Sequence, residues 1–216
     1  MSRTLHTTAK ECSPSPEDAN KLMQACHDPI DRFILAGAMF LGMDKGAIAH
    51  FRDTWVIQHE NRIKIPDSQS CSKPCCNGIR KDKNGKIIQK DGIWRPKGKH
   101  TKSGNYVTYR NIDTGDYSIF PWAGESIKIF IAGYKEFPLS ERAINLRLDA
   151  MIERAKTSRR ITVHGLRSFA ASNLSHIFKG DISKLCSAMG WEPDSPMAKV
   201  YVKQYQLKQA YEEGKG

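Results

Sequence analysis

The stretch Thr162-Val163-His164-Gly165-Leu166-Arg167 decides the fold of the C-terminal half. Thr162 is a good helix N-cap, and the apolar spacing after it predicts a helix over residues 163–178. His164 and Arg167 stand three residues apart, so both side chains lie on one face near the start of this helix. Because the N-terminus of a helix favours an anion, this face is a candidate site for a phosphate.

Two features downstream extend this pattern. A second predicted helix ends at Gly190-Trp191, and Tyr201 follows ten residues after the tryptophan on a third predicted helix. A histidine, an arginine and a tyrosine brought together can break a phosphodiester through a covalent phosphotyrosine. Tyr205, one helical turn beyond Tyr201, is the alternative nucleophile.

This order and spacing resemble the tyrosine recombinases, the phage-type integrases, in which an H-x-x-R box precedes a Gly-His or Gly-Trp box and then the nucleophilic tyrosine. The resemblance covers roughly residues 28–205, and it is most specific over residues 163–201. Two further stretches are similar to this family. Phe40-Leu41-Gly42-Met43-Asp44-Lys45-Gly46-Ala47-Ile48 looks like its first box, and Ile93-Trp94-Arg95-Pro96-Lys97 resembles the strand that carries the catalytic lysine, particularly in archaeal integrases.

The resemblance implies a role for each matching residue. Arg167, with His164 assisting, would neutralise the non-bridging oxygens of the scissile phosphate, and Trp191 would orient the site. Tyr201 would attack phosphorus, and Lys97 would give a proton to the departing 5′-oxygen. Lys99 and Lys102 compete with Lys97 for the proton donor. The 3′-phosphotyrosyl linkage between enzyme and DNA conserves the energy of the broken phosphodiester bond, so no cofactor and no metal ion is expected.

One position departs from the family pattern. The first box normally carries an arginine directly after Gly-Leu or Gly-Met, and this chain has Asp44 there, followed by Lys45. A carboxylate repels the phosphate that two arginines would clamp. Three explanations are open: Lys45 or Arg52 substitutes, the protein is a degenerate relative that binds DNA as a regulator, or Asp44 is an engineered or decayed position.

The charge pattern favours DNA as the partner. Formal net charge is +11, and residues 71–110 hold eleven basic side chains against two acidic ones. Hydrophobic and aromatic residues interleave the basic ones, which favours strands along a phosphate backbone over a solvated loop. The DNA-contacting candidates are Arg95, Lys99, Lys102 and Arg110.

Six cysteines are present, and we expect most of them to be buried thiols. Cys71, Cys75 and Cys76 form a cluster that could hold zinc with His59 or His100. However, the cluster lacks a second C-x-x-C, and adjacent cysteines rarely chelate one ion well. The sequence therefore predicts no metal site, and a zinc-stabilised basic module is the weakest of the functional hypotheses.

The overall pattern predicts an α+β fold, mainly helical, with one small irregular antiparallel sheet in the middle. Residues 1–14 are expected to be a flexible leader, and residues 15–216 a single integrase-like catalytic domain without a separate N-terminal core-binding domain. We find no membrane-spanning run or signal peptide, so a cytoplasmic, nucleoid-associated protein of a virus or mobile element is expected. It would self-assemble on double-stranded DNA as a dimer or tetramer. The expected helices cover residues 15–26, 28–43, 45–51, 126–132, 140–156, 163–178, 181–189 and 195–213, and the expected strands cover 54–58, 62–65, 86–89, 93–95, 105–110 and 117–120.

Overall fold

The computed structural model describes residues 12–60, 62–81, 84–96, 106–108 and 121–213. Helices dominate these ranges, and short antiparallel strands occupy the middle, which confirms the predicted α+β class. The strand expected over residues 117–120 and most of the leader lie outside the described residues. Within the described ranges, no helix combines the length and the apolar character needed to cross a membrane.

The first helices begin at the cap residues that the sequence indicates. Helix α1 (Pro16–Gln24) has Ser15 as its N-cap, where Ser15 and Asp18 form a reciprocal capping box. Helix α2 (Pro29–Leu35) starts after Asp28, whose carboxylate accepts a hydrogen bond from the backbone N–H of Asp31 at 2.8 Å. A π-helical turn, Ala36–Phe40, continues α2 and was not predicted.

The chain then reverses at Gly42, whose φ of +63° is a conformation that glycine adopts without steric cost. Helix α3 (Lys45–Ala49) follows, with Asp44 as its N-cap and His50 as its C-cap. Asp44 and His50 therefore mark the two ends of this short helix.

The strands form three small antiparallel sheets in the described part of the chain, where the sequence predicted one. Strands β1 (Val56–Ile57), β2 (Arg62–Lys64) and β7 (Tyr106–Thr108) form the first sheet in that order. Strands β3 (Gln69–Ser70) and β6 (Ile93–Trp94) form the second, and β4 (Asn77–Lys81) and β5 (Ile87–Asp91) form a hairpin. Strands β3 and β4 were missed because their residues are mostly polar, and β3 in addition pairs with the distant strand β6.

The C-terminal half is helical, as predicted. Its helices are α4 (Pro121–Gly133), α5 (Glu141–Ala155), α6 (Val163–Ile177), α7 (Ile182–Met189) and α8 (Pro196–Glu213). Helix α4 begins five residues earlier than predicted, with a proline in its first turn, a position that tolerates the missing N–H. The other four agree with the predicted ranges to within one residue at each end.

The core is centred on aromatic residues from distant parts of the chain. The ring of Phe33 lies 4.1 Å from that of Phe130 and 4.5 Å from that of Phe51, centroid to centroid. A second apolar cluster joins α6, α7 and α8 around Leu174 and Leu185. Helix α6 contributes to both clusters, since Leu166 belongs to the first and Ala170 to the second. The position of α6 is therefore fixed from two sides.

A buried ion-pair network ties α2 to α5. The carboxylate of Asp31 is fully buried and lies 2.7 Å from Arg154 and 3.1 Å from Arg147, which also contacts Asp28 at 2.7 Å. Removing one member of such a network leaves an uncompensated charge, which typically costs about 3–5 kcal/mol. The acidic members of this network belong to α2 and its N-cap, and the basic members belong to α5.

Candidate functional site

The N-terminus of α6 presents the predicted histidine and arginine side by side on one face. Thr162 is the N-cap, as predicted, and its hydroxyl accepts a hydrogen bond from the Gly165 N–H at 3.0 Å. Cys12 crosses the helix here, so a Cβ placed on Gly165 would lie 1.8 Å from the Cys12 carbonyl oxygen. The glycine inside His164-Gly165-Leu166-Arg167 therefore allows this close backbone approach.

Arg167 connects the turn at Gly42 to the C-terminal end of α7. Its guanidinium donates hydrogen bonds to the carbonyl oxygen of Gly42, in the predicted first box, and to that of Met189 at 3.2 Å, at the end of α7. Burial lowers the pKa of Arg167, while the nearby charges of Asp44 and Tyr201 act in the opposite direction. The guanidinium thus lies where the first box, α6 and α7 meet.

Tyr201 and Trp191 lie next to this arginine. The rings of Trp191 and Tyr201 stack with centroids 5.9 Å apart and planes 18° apart, and Arg167 Cζ lies 5.9 Å from the Trp191 ring. The Tyr201 hydroxyl donates a hydrogen bond to Ser168 Oγ at 3.0 Å. Arg167, Trp191 and Tyr201 come from α6, the loop after α7, and α8, so the fold brings together residues 34 positions apart.

The alternative tyrosine has different neighbours. The Tyr205 ring packs edge-on against His176 at 5.1 Å between centroids, and it also lies close to Gly180. Both neighbours are at the C-terminal end of α6, more than two helical turns beyond Arg167. The geometry therefore favours Tyr201 over Tyr205 as the tyrosine associated with Arg167.

Asp44 has a structural role that explains its position. Its carboxylate accepts a hydrogen bond from the Ala47 N–H at 2.8 Å and so caps α3. Its neighbour Lys45 makes a loose ion pair with Glu141 at 3.9 Å. Arg52, the other proposed substitute for the missing arginine, donates to the Ser70 carbonyl at 2.7 Å and pairs with Glu136 at 3.8 Å. Arg52 is therefore engaged elsewhere, and Lys45 is the first-box cation near the site.

A cavity of about 620 Å³ connects the first box to α6. His164, Arg167, Asp44 and Lys45 line it together with residues of α5. Arg160 lines it as well, and sequence analysis missed this residue. The signal that could have found it is the pair Arg159-Arg160, which is separated from the N-cap Thr162 only by Ile161. Arg159 pairs with Asp18 at 3.6 Å, while Arg160 lines the cavity.

The lining of this cavity is mixed in charge. Asp149 and Glu153 of α5 stand opposite the basic residues. An anion would be attracted by His164, Arg167, Arg160 and Lys45, while Asp44 in the same lining and the α5 acids would oppose it.

Most of the basic residues predicted to contact DNA or to donate the proton lie outside the described residues. They are Lys97, Lys99, Lys102 and Arg110. Arg95 is exposed and pairs with Asp91 at 2.7 Å. The strand before Lys97 is anchored beside the first box, because a Cβ placed on Gly46 would lie 4.0 Å from Trp94 Nε1 and 3.1 Å from Asp44 Oδ1.

The cysteine cluster meets a histidine that sequence analysis did not include. His50 Nε2 lies 3.3 Å from the Sγ atoms of both Cys75 and Cys76, and the two sulfurs are 3.8 Å apart. Burial raises the pKa of Cys76 to about 12, and hydrogen bonds with Cys71 and Cys75 act in the same direction. Of the two predicted histidine partners, His59 is exposed and contacts Glu60, and His100 lies outside the described residues.

The chain was compared with protein-family models, with curated proteins and with solved structures. None of the three comparisons finds a match. Support for a function therefore comes from the geometry of the site and from the motif resemblance.

Proposed function

We propose that this protein cuts and rejoins DNA strands through a covalent intermediate on Tyr201, in site-specific integration or excision of a mobile element. The observation that carries the proposal is the cluster of Arg167, Trp191 and Tyr201, in which the Trp191 ring stacks on the Tyr201 ring and lies beside the guanidinium. The tyrosine-recombinase fold is part of this proposal, because it rests on the same residues.

The chemistry follows from the ordinary properties of these groups. A phenol with a pKa of about 10 is a weak nucleophile at neutral pH, so its proton must leave as the bond to phosphorus forms. A cationic neighbour favours that loss. The Tyr201 oxygen forms a bond to phosphorus while the bond from phosphorus to the 5′-oxygen breaks, leaving a 3′-phosphotyrosyl linkage and a 5′-hydroxyl.

The proton taken up by the 5′-oxygen needs a donor, and Lys97 is the proposed one by its motif position. Arg167 and His164 would stabilise the charge that builds on the non-bridging oxygens, with Lys45 in place of the first-box arginine. The reverse attack by a 5′-hydroxyl from another strand completes the transfer. Neither ATP nor a metal ion takes part in this chemistry.

The charge of the chain supports DNA as the substrate. The net charge of +11 favours association with a polyanion, and the hairpin β4–β5 belongs to the most basic part of the sequence. We further propose that copies of the protein assemble on DNA as a dimer or tetramer, since strand exchange joins two duplexes.

The test is covalent capture on nicked DNA. A pool of duplexes with randomised sequence on both sides of a nick would be incubated with the protein, so that the short 5′-hydroxyl fragment dissociates after cleavage. We expect a protein–DNA adduct whose phosphotyrosyl peptide contains Tyr201, and Tyr201→Phe should abolish it. Tyr205→Phe is the matched control, because this tyrosine lies on the same helix but contacts His176, and it should keep the adduct. An adduct that persists in Tyr201→Phe would refute the assignment.

A second candidate function is supported by Asp44. Its carboxylate lies beside Arg167 and faces the same cavity, so it competes with a phosphate for the guanidinium. In this alternative the protein binds DNA as a regulator without cutting it. The sharpest variant is Asp44→Asn, which keeps the N-cap of α3 while removing the negative charge.

Asp44→Asn and Asp44→Arg separate the two candidates. If the protein is an active enzyme that uses Lys45, the natural chain forms the adduct, and Asp44→Asn raises its yield about tenfold because it removes one adjacent like charge. If the protein is a regulator, the natural chain binds DNA without an adduct, and only Asp44→Arg restores cleavage. Circular dichroism of both variants would control for loss of the α3 cap.

A further inference from the structure

We propose that His50, Cys75 and Cys76, completed by Cys71, bind one zinc ion that fixes the basic hairpin to helix α3. Three of these residues already meet in space, although they come from two separate segments of the chain. This site is independent of the proposed strand-transfer chemistry, which uses no metal.

The distances fit tetrahedral zinc. With Zn–S bonds of about 2.3 Å and Zn–N bonds of about 2.0–2.1 Å, the edges of the tetrahedron are about 3.8 Å between sulfurs and about 3.6 Å between sulfur and nitrogen. The two cysteine sulfurs are 3.8 Å apart, and His50 Nε2 lies 3.3 Å from each of them. The separation of the sulfurs matches two ligands of one ion, and it is far longer than a disulfide bond.

The orientation of His50 is that of a metal ligand. Its Nδ1 lies 2.8 Å from the Gly46 carbonyl oxygen, which can only accept a hydrogen bond, so Nδ1 carries the proton and the unprotonated Nε2 is the nitrogen that meets the two sulfurs. The ring is buried and stacks on Trp94 with centroids 4.9 Å apart. A histidine held by a backbone carbonyl on one nitrogen, with thiols at the other, has the arrangement seen around protein-bound zinc.

Cys71 completes the proposed set as its fourth ligand. Its side chain is buried next to Cys76, and because its Sγ lies outside the group of three ligand atoms that are all within 4.8 Å of one another, it would turn toward them when the ion binds. Its backbone N–H donates to the Gly92 carbonyl at 2.7 Å, and the Gly92 N–H donates to the Cys76 carbonyl at 3.0 Å. Gly92 therefore holds both ends of the cysteine segment beside β6, and structural zinc sites in proteins are almost always four-coordinate.

Lys73 supplies the compensating charge. Three thiolates around Zn²⁺ leave one net negative charge, and the half-buried Lys73 lies within the same segment. Its ammonium group donates to the carbonyl oxygens of Ala49, Phe137 and Leu139. These three carbonyl oxygens hold the ammonium group within the cysteine segment, where its positive charge would offset the net negative charge of the site.

The site would connect the helical core to the hairpin. His50 is the C-cap of α3, and Cys76 immediately precedes β4. A metal ion there fixes the base of the hairpin relative to α3, and β6, which leads to Lys97, packs against the same histidine through Trp94. The proposed role is structural, since all four coordination positions are filled by the protein.

The experiment is metal analysis of the full chain purified without chelators and then reconstituted with Zn²⁺ or Co²⁺ alone. We expect about one zinc ion per chain by elemental mass spectrometry. The Co²⁺ form should show the intense visible absorption of tetrahedral thiolate coordination. Cys75→Ser and Cys76→Ser should each reduce zinc affinity at least 100-fold. Cys26→Ser is the matched control, because its thiol hydrogen-bonds only locally, to the Leu22 carbonyl at 3.5 Å among the contacts described, and it should keep full metal content.

Three outcomes would overturn the inference. A folded protein that takes up neither Zn²⁺ nor Co²⁺ refutes the site, and so does unchanged metal content in Cys75→Ser. Full metal content and an unchanged Co²⁺ spectrum in Cys71→Ser would refute the fourth ligand. Because Cys75 is the exposed member of the adjacent pair, Cys75→Ser should fold even if Cys76→Ser does not.

Discussion

Helix α3 separates two clusters that are built on opposite principles. At its N-terminus, Asp44 lies beside Arg167, and each polar group there has a complementary partner: the carboxylate accepts from Ala47 N–H, and the guanidinium donates to two carbonyl oxygens. At its C-terminus, the Nε2 lone pair of His50 faces two thiols. The first cluster joins charged side chains to backbone groups, whereas the second gathers three atoms of metal-ligating type around one point.

The two clusters should differ in how they respond to a bound ligand. A site whose charges are held by backbone carbonyls keeps its shape without a ligand, which suits pre-organised recognition of a phosphate. A site of converging soft ligands gains stability only when a cation enters. The two ends of α3 should therefore respond differently to mutation and to metal.

The largest expected effect is at Arg167. Arg167→Lys keeps a positive charge but loses the planar donor pair that reaches Gly42 and Met189, so we expect adduct formation to fall about 10²–10³-fold. Stability should fall by about 1–3 kcal/mol, because one buried carbonyl loses its donor. Adduct yield on nicked DNA and urea denaturation measure the two effects, and zinc content should not change.

Arg147→Lys is the control for stability in this comparison. Arg147 also bridges two partners, Asp28 and Asp31, but it belongs to the α2–α5 network. It should lower stability to a similar degree while adduct yield per folded molecule stays within about twofold. Equal loss of adduct in both variants would mean that Arg167 acts only through folding.

Metal removal should have an intermediate effect, confined to the other end of α3. With zinc at 1,000 times its dissociation constant, the bound ion contributes about 4 kcal/mol to the free energy of unfolding, and a chelator should remove this contribution. Hydrogen exchange should accelerate in β4 and β5 and at the end of α3, with little change in α6 and α8. Uniform acceleration over the whole chain would contradict a local structural role.

The smallest effect should come from the ion pair of Lys45 with Glu141. The pair is partly exposed and 3.9 Å long, so Glu141→Gln should change stability by less than about 1 kcal/mol. Freeing Lys45 should strengthen DNA binding severalfold at low salt, and the gain should shrink at high salt. Fluorescence anisotropy with labelled duplex DNA checks this, and Glu136→Gln, whose partner Arg52 lies away from the cavity, is the control. A gain of the same size in Glu136→Gln would show that only overall charge matters.

Local signals in the sequence predicted most helices correctly. Ser15, Asp28 and Thr162 were identified as helix starts because a side-chain cap is a property of a few consecutive residues, and each is the N-cap of a helix in the structure. The strands were less predictable. Strand β3 pairs with a strand more than twenty residues away, and such pairing leaves little trace in a short window. Strand β4 belongs to a local hairpin with β5, but its polar residues and Gly78 give no clear strand pattern.

The two clusters also differ in whether their members are close together in the sequence. His164 and Arg167 could be paired from the sequence because a spacing of three residues on a helix fixes a common face, and Trp191 and Tyr201 followed from the order of the boxes. His50 could not be paired with Cys75, since 25 residues and several turns lie between them. Of the two histidines that the sequence suggested as partners, His59 is exposed and contacts Glu60, and His100 lies outside the described residues, whereas His50 meets Cys75 and Cys76.

The sequence alone predicted most helix starts, the α+β class, the excess of positive charge and the residues of the α6 motif, because each of these depends on composition or on contacts within a few residues. The tertiary structure alone decided that Arg167 joins Gly42 to Met189, that Tyr201 rather than Tyr205 lies beside it, and that His50 meets the cysteines. These contacts connect distant segments through packing of the whole core, and no local pattern specifies which distant partner a side chain will meet.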